Sequence, residues 1–213
     1  MKVISPKIAV VPRSGIPPLL KTMGGTRRIR SNLGRAAIFL DRDGVINRYP
    51  GDTNYVTSWK EFRFLPNVKK AIALLTSKKY PIFVISNQAG VSKGIYSQNT
   101  LNDITSRMLK ALEKSGAKIS AVLYCTHRDE DHCSCRKPKA GLVKLAVKGK
   151  KIDLKNSFFI GDTIRDVHTA KAAGCQSILV FSGAEKPPNR DNWQAHPDFT
   201  FKDLYAAAKF ITA

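Results

Sequence analysis

The chain has 213 residues, 43% of them hydrophobic and 8% aromatic, and carries 36 Lys/Arg against 16 Asp/Glu, a formal net charge of +20. The length suits one domain with appendages, and the hydrophobic content excludes a chain disordered over most of its length. No apolar run approaches the roughly 20 residues that cross a bilayer, and KIAVVP (7–12) is too short and ends in proline too soon for a signal core, so the expected location is the cytoplasm. The positive charge attracts anions in general; it names no groove-reading element, so nucleic acid is not expected as a partner, although charge alone does not exclude it.

Residues 1–35 hold eight of the Lys/Arg and no acid, so +12 of the charge belongs to the rest. Ser5-Pro6, Pro12, Pro17-Pro18 and Gly24-Gly25 interrupt regular structure, and Arg27, Arg28 and Arg30 form a basic cluster. This segment reads as a basic, flexible N-terminal extension preceding one domain over 36–213.

From Ala36 the pattern alternates. Short β-branched or aromatic runs at 36–41, 81–87, 119–125, 157–162 and 175–183 predict buried strands. Helical periodicity at 67–78, 101–114, 142–147 and 164–173 falls between them. The alternation predicts an α/β fold, a parallel sheet covered by helices on both faces.

The chemistry-bearing residues sit where these strands end, the place at which open α/β sheets collect ligands. The first run ends in Asp41-Arg42-Asp43-Gly44, the second in Ser86-Asn87-Gln88, and the fourth in Gly161-Asp162, with Asp166 four residues on. Arg136-Lys137-Pro138-Lys139 precedes the fourth run. Asp41, Asp43 and Asp162 concentrate negative charge that a hard divalent ion such as Mg2+ relieves. That arrangement suits phosphoryl transfer. Asp41 is the candidate nucleophile, forming an aspartyl-phosphate, and Asp43 the general acid and base. Ser86 and Lys137 are candidates to hold the phosphoryl oxygens. Asp166 reads equally as a metal neighbour or as a first-turn helix acid.

Three of the four cysteines crowd together. Cys125-Thr-His127, five residues, then Cys133-Ser-Cys135 is a C-x-H-x5-C-x-C loop. Three thiolates and an imidazole suit tetrahedral structural Zn2+, with His132 an alternative imidazole. The loop runs directly into Arg136 and Lys137, so zinc would also fix their approach. Cys175 reads as a buried core thiol.

FLDRDGVIN (39–47), ISNQAG (85–90), CRKPK (135–139) and IGDTIRD (160–166) resemble the four motifs of the haloacid-dehalogenase (HAD) phosphatase superfamily. YVTSWKEFRFLPNV (55–68), NQAGVSKGIYS (87–97), the zinc loop at 125–135 and GDTIRDVHTAKAAGCQSILVFSG (161–183) are similar to the D-glycero-D-manno-heptose 1,7-bisphosphate 7-phosphatase branch. The resemblance spans about residues 36–211. It implies a Rossmann-like core with minimal cap elements. It also implies Mg2+ on Asp41, the Asp43 carbonyl and Asp162, and zinc on Cys125, His127, Cys133 and Cys135. Asn87 and Gln88 match the substrate-contacting loop, and Arg136 the recognition residue. Thr163 departs from members that carry lysine there, and the loop from Arg48 to Asn54 is longer than in the shortest members. A small sugar phosphate, a heptose 1,7-bisphosphate first, is the expected substrate of a monomeric enzyme. Histidinol phosphate is the nearest alternative, a nucleic-acid end a more distant one, and a non-catalytic binding module the reading from another class.

Overall fold

The computed structural model describes residues 8–12, 34–52 and 54–213. Seven strands form one sheet: β1 (Ile8–Pro12), β2 (Ile38–Leu40), β3 (Ile82–Asn87), β4 (Ala121–Cys125), β5 (Phe158–Gly161), β6 (Gln176–Val180) and β7 (Phe199–Phe201). Their order is β1-β4-β3-β2-β5-β6-β7, and β2 to β7 are parallel. The helices are α1 (Val68–Ser77), α2 (Gln98–Glu113), α3 (Gly141–Val147), α4 (Ile164–Ala173) and α5 (Leu204–Thr212). Among the described residues, no helix is long and apolar enough to cross a membrane.

The expected α/β architecture is present. Side chains alternate across a strand, so β2 sends Ile38 and Leu40 to one face and Phe39 to the other. Ile38 and Leu40 join Val84, Val122, Ile160 and Ile178 beneath α1, α2 and α5. Phe39 joins Phe83, Ile85 and Phe159 beneath α3 and α4. Registration places Phe39 beside both Phe83 and Phe159, and its ring stacks on theirs at 5.5 and 6.3 Å between centroids. Strands buried on both faces carry no alternating pattern, which is why they read as short continuous apolar runs.

Several elements differ from the sequence reading. Ile8–Pro12 pairs antiparallel with β4, Ile8 opposite Cys125 and Pro12 opposite Ala121. Five β-branched or apolar residues within the segment read as an N-terminal extension thus cover the edge that β4 would otherwise leave open. Proline is tolerated at such an edge. The Arg27–Arg30 cluster lies outside the described residues. Helix α2 begins at Gln98 rather than Leu101, because Ser97 caps it, accepting from the Thr100 N–H at 3.0 Å, and its first turn is polar. β7 and α5 follow the last of the runs singled out in the sequence. The α5 start is set by Asp203, which accepts from Ala206 N–H at 2.8 Å.

Candidate active site

The sheet order reverses at β2, which has β3 on one side and β5 on the other, and the candidate residues gather just past the carboxyl ends of these three strands. Asp41 is the first residue after β2. Its N–H donates to the Ile160 carbonyl at 3.0 Å, continuing the sheet by one bond and fixing its place beside β5. Its Oδ1 accepts from the Arg42 N–H at 2.7 Å, and its Oδ2 from Lys137 Nζ at 2.8 Å. Burial pushes the Asp41 carboxyl up to about 6, against the opposing pull of Lys137.

Asp162 follows β5 and is 1% exposed. Its Oδ2 accepts from the Ala184 N–H at 2.8 Å, and burial, reinforced by Asp41, holds its carboxyl well above the usual range. The chain leaves it a slot between two glycines. A Cβ on Gly44 would lie 2.0 Å from Asp162 Oδ2, and one on Gly183 1.9 Å. Asp166 stands in the first turn of α4. Its Oδ2 accepts from the Thr163 N–H at 3.2 Å and hydroxyl at 2.7 Å, while Oδ1 receives Lys137 Nζ at 2.6 Å. It is therefore both a helix-start acid and a partner of Lys137.

Asp41, Asp162 and Asp166 each place a carboxylate oxygen within 4.8 Å of the others, all three side chains buried. Lys137, 3% exposed, is the one cation ion-paired to this cluster among the described residues. One ammonium against three buried acids leaves unbalanced negative charge, and burial together with neighbouring carboxylates raises the Asp41 and Asp162 carboxyls. An all-oxygen donor set of this kind fits a hard divalent ion such as Mg2+. The Asp43 side chain is not in the cluster.

Asp43 instead sits in a polar net beside the cluster. Its Oδ1 accepts from Arg42 Nε at 3.2 Å, Arg42 Nη2 at 3.0 Å and Asn47 Nδ2 at 2.8 Å. Its Oδ2 accepts from Gln88 Nε2 at 2.8 Å. Arg42 is wholly buried, its guanidinium 5.7 Å from the centre of the Tyr124 ring. Gln88 Oε1 accepts from the Tyr96 hydroxyl at 2.6 Å, which aims its amide at Asp43 and away from the cleft. A tight turn supports this net: the Ile46 and Asn47 N–H groups both donate to the Arg42 carbonyl.

Ser86 is the penultimate residue of β3 and buried, its Oγ 3.3 Å from Gln88 Nε2. Asn87 grips the main chain of Lys137. Ser86, Asn87, Arg136 and Lys137 line a cleft of ≈ 290 Å³ with Asp41, Asp43 and Asp162. Its rim adds residues that the sequence reading did not single out: Tyr49, Asp52, Tyr55, Lys93, Asp129 and Arg165. Arg165 lies within the quoted IGDTIRD motif, but nothing in the string says which face of α4 it takes. Arg136 donates from Nε and Nη2 to the Asp129 carboxylate, the Nη2 bond 3.1 Å, and from Nη1 to the His127 carbonyl at 3.3 Å.

Cys125, at the end of β4, meets His127, Cys133 and Cys135, with all four donor atoms within 4.8 Å of one another. The sulfur–sulfur distances are 3.4, 3.4 and 3.7 Å, and His127 Nδ1 lies 3.6 Å from Cys125 and 3.2 Å from Cys135. Disulfides require about 2.05 Å, so none is formed. A tetrahedral zinc with Zn–S near 2.3 Å and Zn–N near 2.05 Å has edges of about 3.8 and 3.6 Å, which these distances approach. The imidazole in the cluster is that of His127. His132 ends the intervening 3-10 turn at φ 45° and lies outside it. Arg128 ties the loop to the turn after β3, donating from Nη2 and Nε to the Ser92 carbonyl at 2.6 and 3.0 Å.

Residues 134–207 match the profile of the HAD-hydrolase-like family. The D-glycero-beta-D-manno-heptose-1,7-bisphosphate 7-phosphatase of Pseudomonas aeruginosa is 34% identical over 151 residues, 71% of this chain and 84% of that protein. The D-glycero-alpha-D-manno-heptose-1,7-bisphosphate 7-phosphatase of Campylobacter jejuni is 33% identical over 150 residues, 70% of this chain and 84% of that protein. Among solved structures, the B. bronchiseptica D,D-heptose 1,7-bisphosphate phosphatase complexed with magnesium and phosphate superposes with a TM-score of 0.77 at 32% identity, covering 83% of this chain and 97% of that one.

Proposed function

This chain belongs to the heptose 1,7-bisphosphate 7-phosphatase family of HAD-type phosphatases, and on that premise we propose that it hydrolyses the 7-phosphate of a D-glycero-D-manno-heptose 1,7-bisphosphate with Asp41 as nucleophile. The observation that carries the mechanism is the position of Asp41: buried at the switch point, with one oxygen on Lys137 and an acid cluster around it.

Asp41, Asp162 and the Asp43 carbonyl would hold Mg2+, which when bound would neutralise charge on the acids and on the phosphoryl group. An Asp41 oxygen attacks phosphorus. The bond from phosphorus to the sugar oxygen breaks, and Asp43 delivers a proton to that oxygen as the alcohol leaves. Asp43 then takes a proton from water, the water oxygen adds to phosphorus, and the Asp41–phosphorus bond breaks to release inorganic phosphate. Ser86 and Lys137 hold phosphoryl oxygens through the transfer, while Asp166 keeps the Lys137 ammonium aimed. Arg136 contacts the sugar phosphate at the cleft. Asn87 and Gln88 act through their neighbours, Asn87 on Lys137 and Gln88 on Asp43. Cys125, His127, Cys133 and Cys135 would hold zinc, which would fix the loop that delivers Arg136 and Lys137.

The test is phosphate release from both anomers of heptose 1,7-bisphosphate and from histidinol phosphate, measured side by side with metal content on the same sample. Faster turnover of a heptose bisphosphate supports the reading, and faster turnover of histidinol phosphate overturns it.

A further inference from the structure

The cleft occupies the carboxyl end of the parallel strands. At the opposite end, α1 to α4 each finish and the chain enters the next strand. Helix α5 finishes there too, since the Tyr80 hydroxyl, just before β3, donates to the Ile211 carbonyl at 3.4 Å. Lys78 and Lys79 follow α1, Lys118 precedes β4, and Lys150 and Lys151 follow α3. All five are exposed, and none is ion-paired among the described residues. They belong to one layer. The Lys118 N–H donates to Thr76 Oγ1 at 3.0 Å, which places Lys118 beside the end of α1. The Arg35 N–H donates to the Lys151 carbonyl at 3.0 Å, and Arg35, also exposed, leads into β2, the strand between β3 and β5. The acids of this end are Glu113, next to Lys114 in the chain, Asp153, on which Lys155 acts, and Asp198, on which Lys171 acts. Those three cations are therefore set aside, and the five lysines and Arg35 remain.

Helix carboxyl ends carry about half a negative charge each, which one lysine per helix more than offsets. The surplus gives this face a net positive potential that attracts a polyanion. Two further side chains say which kind. Leu145, in the last turn of α3 between Lys144 and Lys148, is 37% exposed, and Phe210, in the last turn of α5 next to Lys209, is 43% exposed. They are two of the three large apolar side chains exposed among the described residues, and both lie at this end. Exposed apolar groups set among lysines gain nothing from a phosphodiester backbone, but they bury area at the boundary of lipid headgroups and acyl chains. Lysine is also a point charge without the guanidinium fork, and it suits diffuse attraction to many headgroups at once. We propose that this end of the sheet is a docking face for an anionic lipid surface, with Leu145 and Phe210 entering the headgroup layer and the cleft turned toward water.

The test is co-sedimentation of the full chain with lipid vesicles. It should sediment with phosphatidylcholine vesicles containing about 30 mol % phosphatidylglycerol and stay in solution with phosphatidylcholine alone. Raising the salt from about 50 to about 500 mM should release it, because the Debye length shortens several-fold. Two independent charge-reversal pairs, Lys78→Glu with Lys79→Glu and Lys150→Glu with Lys151→Glu, should each weaken partitioning about tenfold or more. Leu145→Gln should weaken it about threefold and leave the salt dependence as it was. All of these positions are exposed, so melting midpoints should match the parent. The basic cluster at Arg27, Arg28 and Arg30 is the control, and changing all three to Gln should leave most of the partitioning in place. Failure to sediment with anionic vesicles overturns the proposal, as does partitioning that both lysine pairs leave unchanged. Loss of partitioning in the arginine control alone overturns it as well. So does a duplex or single-stranded oligonucleotide that binds more tightly than the vesicles at the same salt, since that would make the face a nucleic-acid surface.

Discussion

Asn87 closes a two-point clamp on the main chain of Lys137: its Nδ2 donates to the Lys137 carbonyl at 3.1 Å, and its Oδ1 accepts from the Lys137 N–H at 3.0 Å. The last residue of β3 thus sets the backbone from which the Lys137 ammonium reaches Asp41 and Asp166. Asn87→Ala removes both bonds and lets Lys137 drift. Displacement of a catalytic group by about 1 Å costs on the order of 100-fold, so kcat should fall by about that factor with KM little changed. Steady-state kinetics decide it, because a rise in KM alone would instead place Asn87 on substrate.

Asp162 has room only because residues 44 and 183 lack a Cβ. Gly183→Ala forces the carboxylate out of its slot and weakens the site it shares with Asp41. The Mg2+ concentration giving half-maximal activity should rise roughly 10- to 100-fold, the range seen when support for a metal ligand is lost. Titration of activity against Mg2+ measures it, and an unchanged midpoint would show that Asp162 is not a ligand.

The four cysteines should divide three to one. With zinc in place, none should react with a thiol reagent at pH 8. A strong chelator should expose Cys125, Cys133 and Cys135, and full unfolding should add Cys175. Burial alone pushes the Cys175 thiol up to about 12, so it stays protonated in the fold across the neutral range. Unfolded, it titrates near about 8.5; the stability contributed by its burial is intact below that pH and declines above it. Chelation should also lower the melting midpoint, by about 2–4 °C for each kcal/mol lost in a domain of this size. Three reactive thiols before chelation would contradict the zinc assignment.

Gln88 lies behind Asp43 rather than in the cleft, joined to it by a 2.8 Å bond and aimed by Tyr96. Gln88→Leu leaves Asp43 one donor short and the Tyr96 hydroxyl without its acceptor. Such losses typically cost about 1–3 kcal/mol in stability, read from denaturant unfolding. The pH–rate profile should shift as well, because the environment of the acid and base has changed. A profile identical to that of the parent would remove Gln88 from the account.

Much of the site is legible in the string because its parts sit at strand ends, and strand ends are read from where an apolar run stops. Asp41, Ser86 and Asp162 each follow such a run or close it, and the sheet order brings them together. The zinc loop is legible for a different reason: four ligands within eleven positions need little tertiary structure to converge. What was not legible depends on long-range pairing. Ile8–Pro12 is a strand only because the β4 edge receives it, and Phe199–Phe201 only because β6 does. A sequence shows proximity to a site and not side-chain direction, so the Gln88 bond to Asp43 and the Asn87 bonds to the Lys137 main chain are not legible in it. Lys93 and Arg165 lie 72 positions apart and share a cleft through the turn after β3 and the start of α4.

The central claim is that the phosphoryl group passes through the carboxylate at position 41. Rapid acid quench of the enzyme with substrate labelled in the transferred phosphate, followed by borohydride reduction and peptide mass mapping, reads it directly. Reduction of an acyl phosphate should convert residue 41 to homoserine, and Asp41→Asn should show neither the label nor turnover. Label on another residue, or an Asp41→Asn variant that releases phosphate at the parent rate, would contradict it.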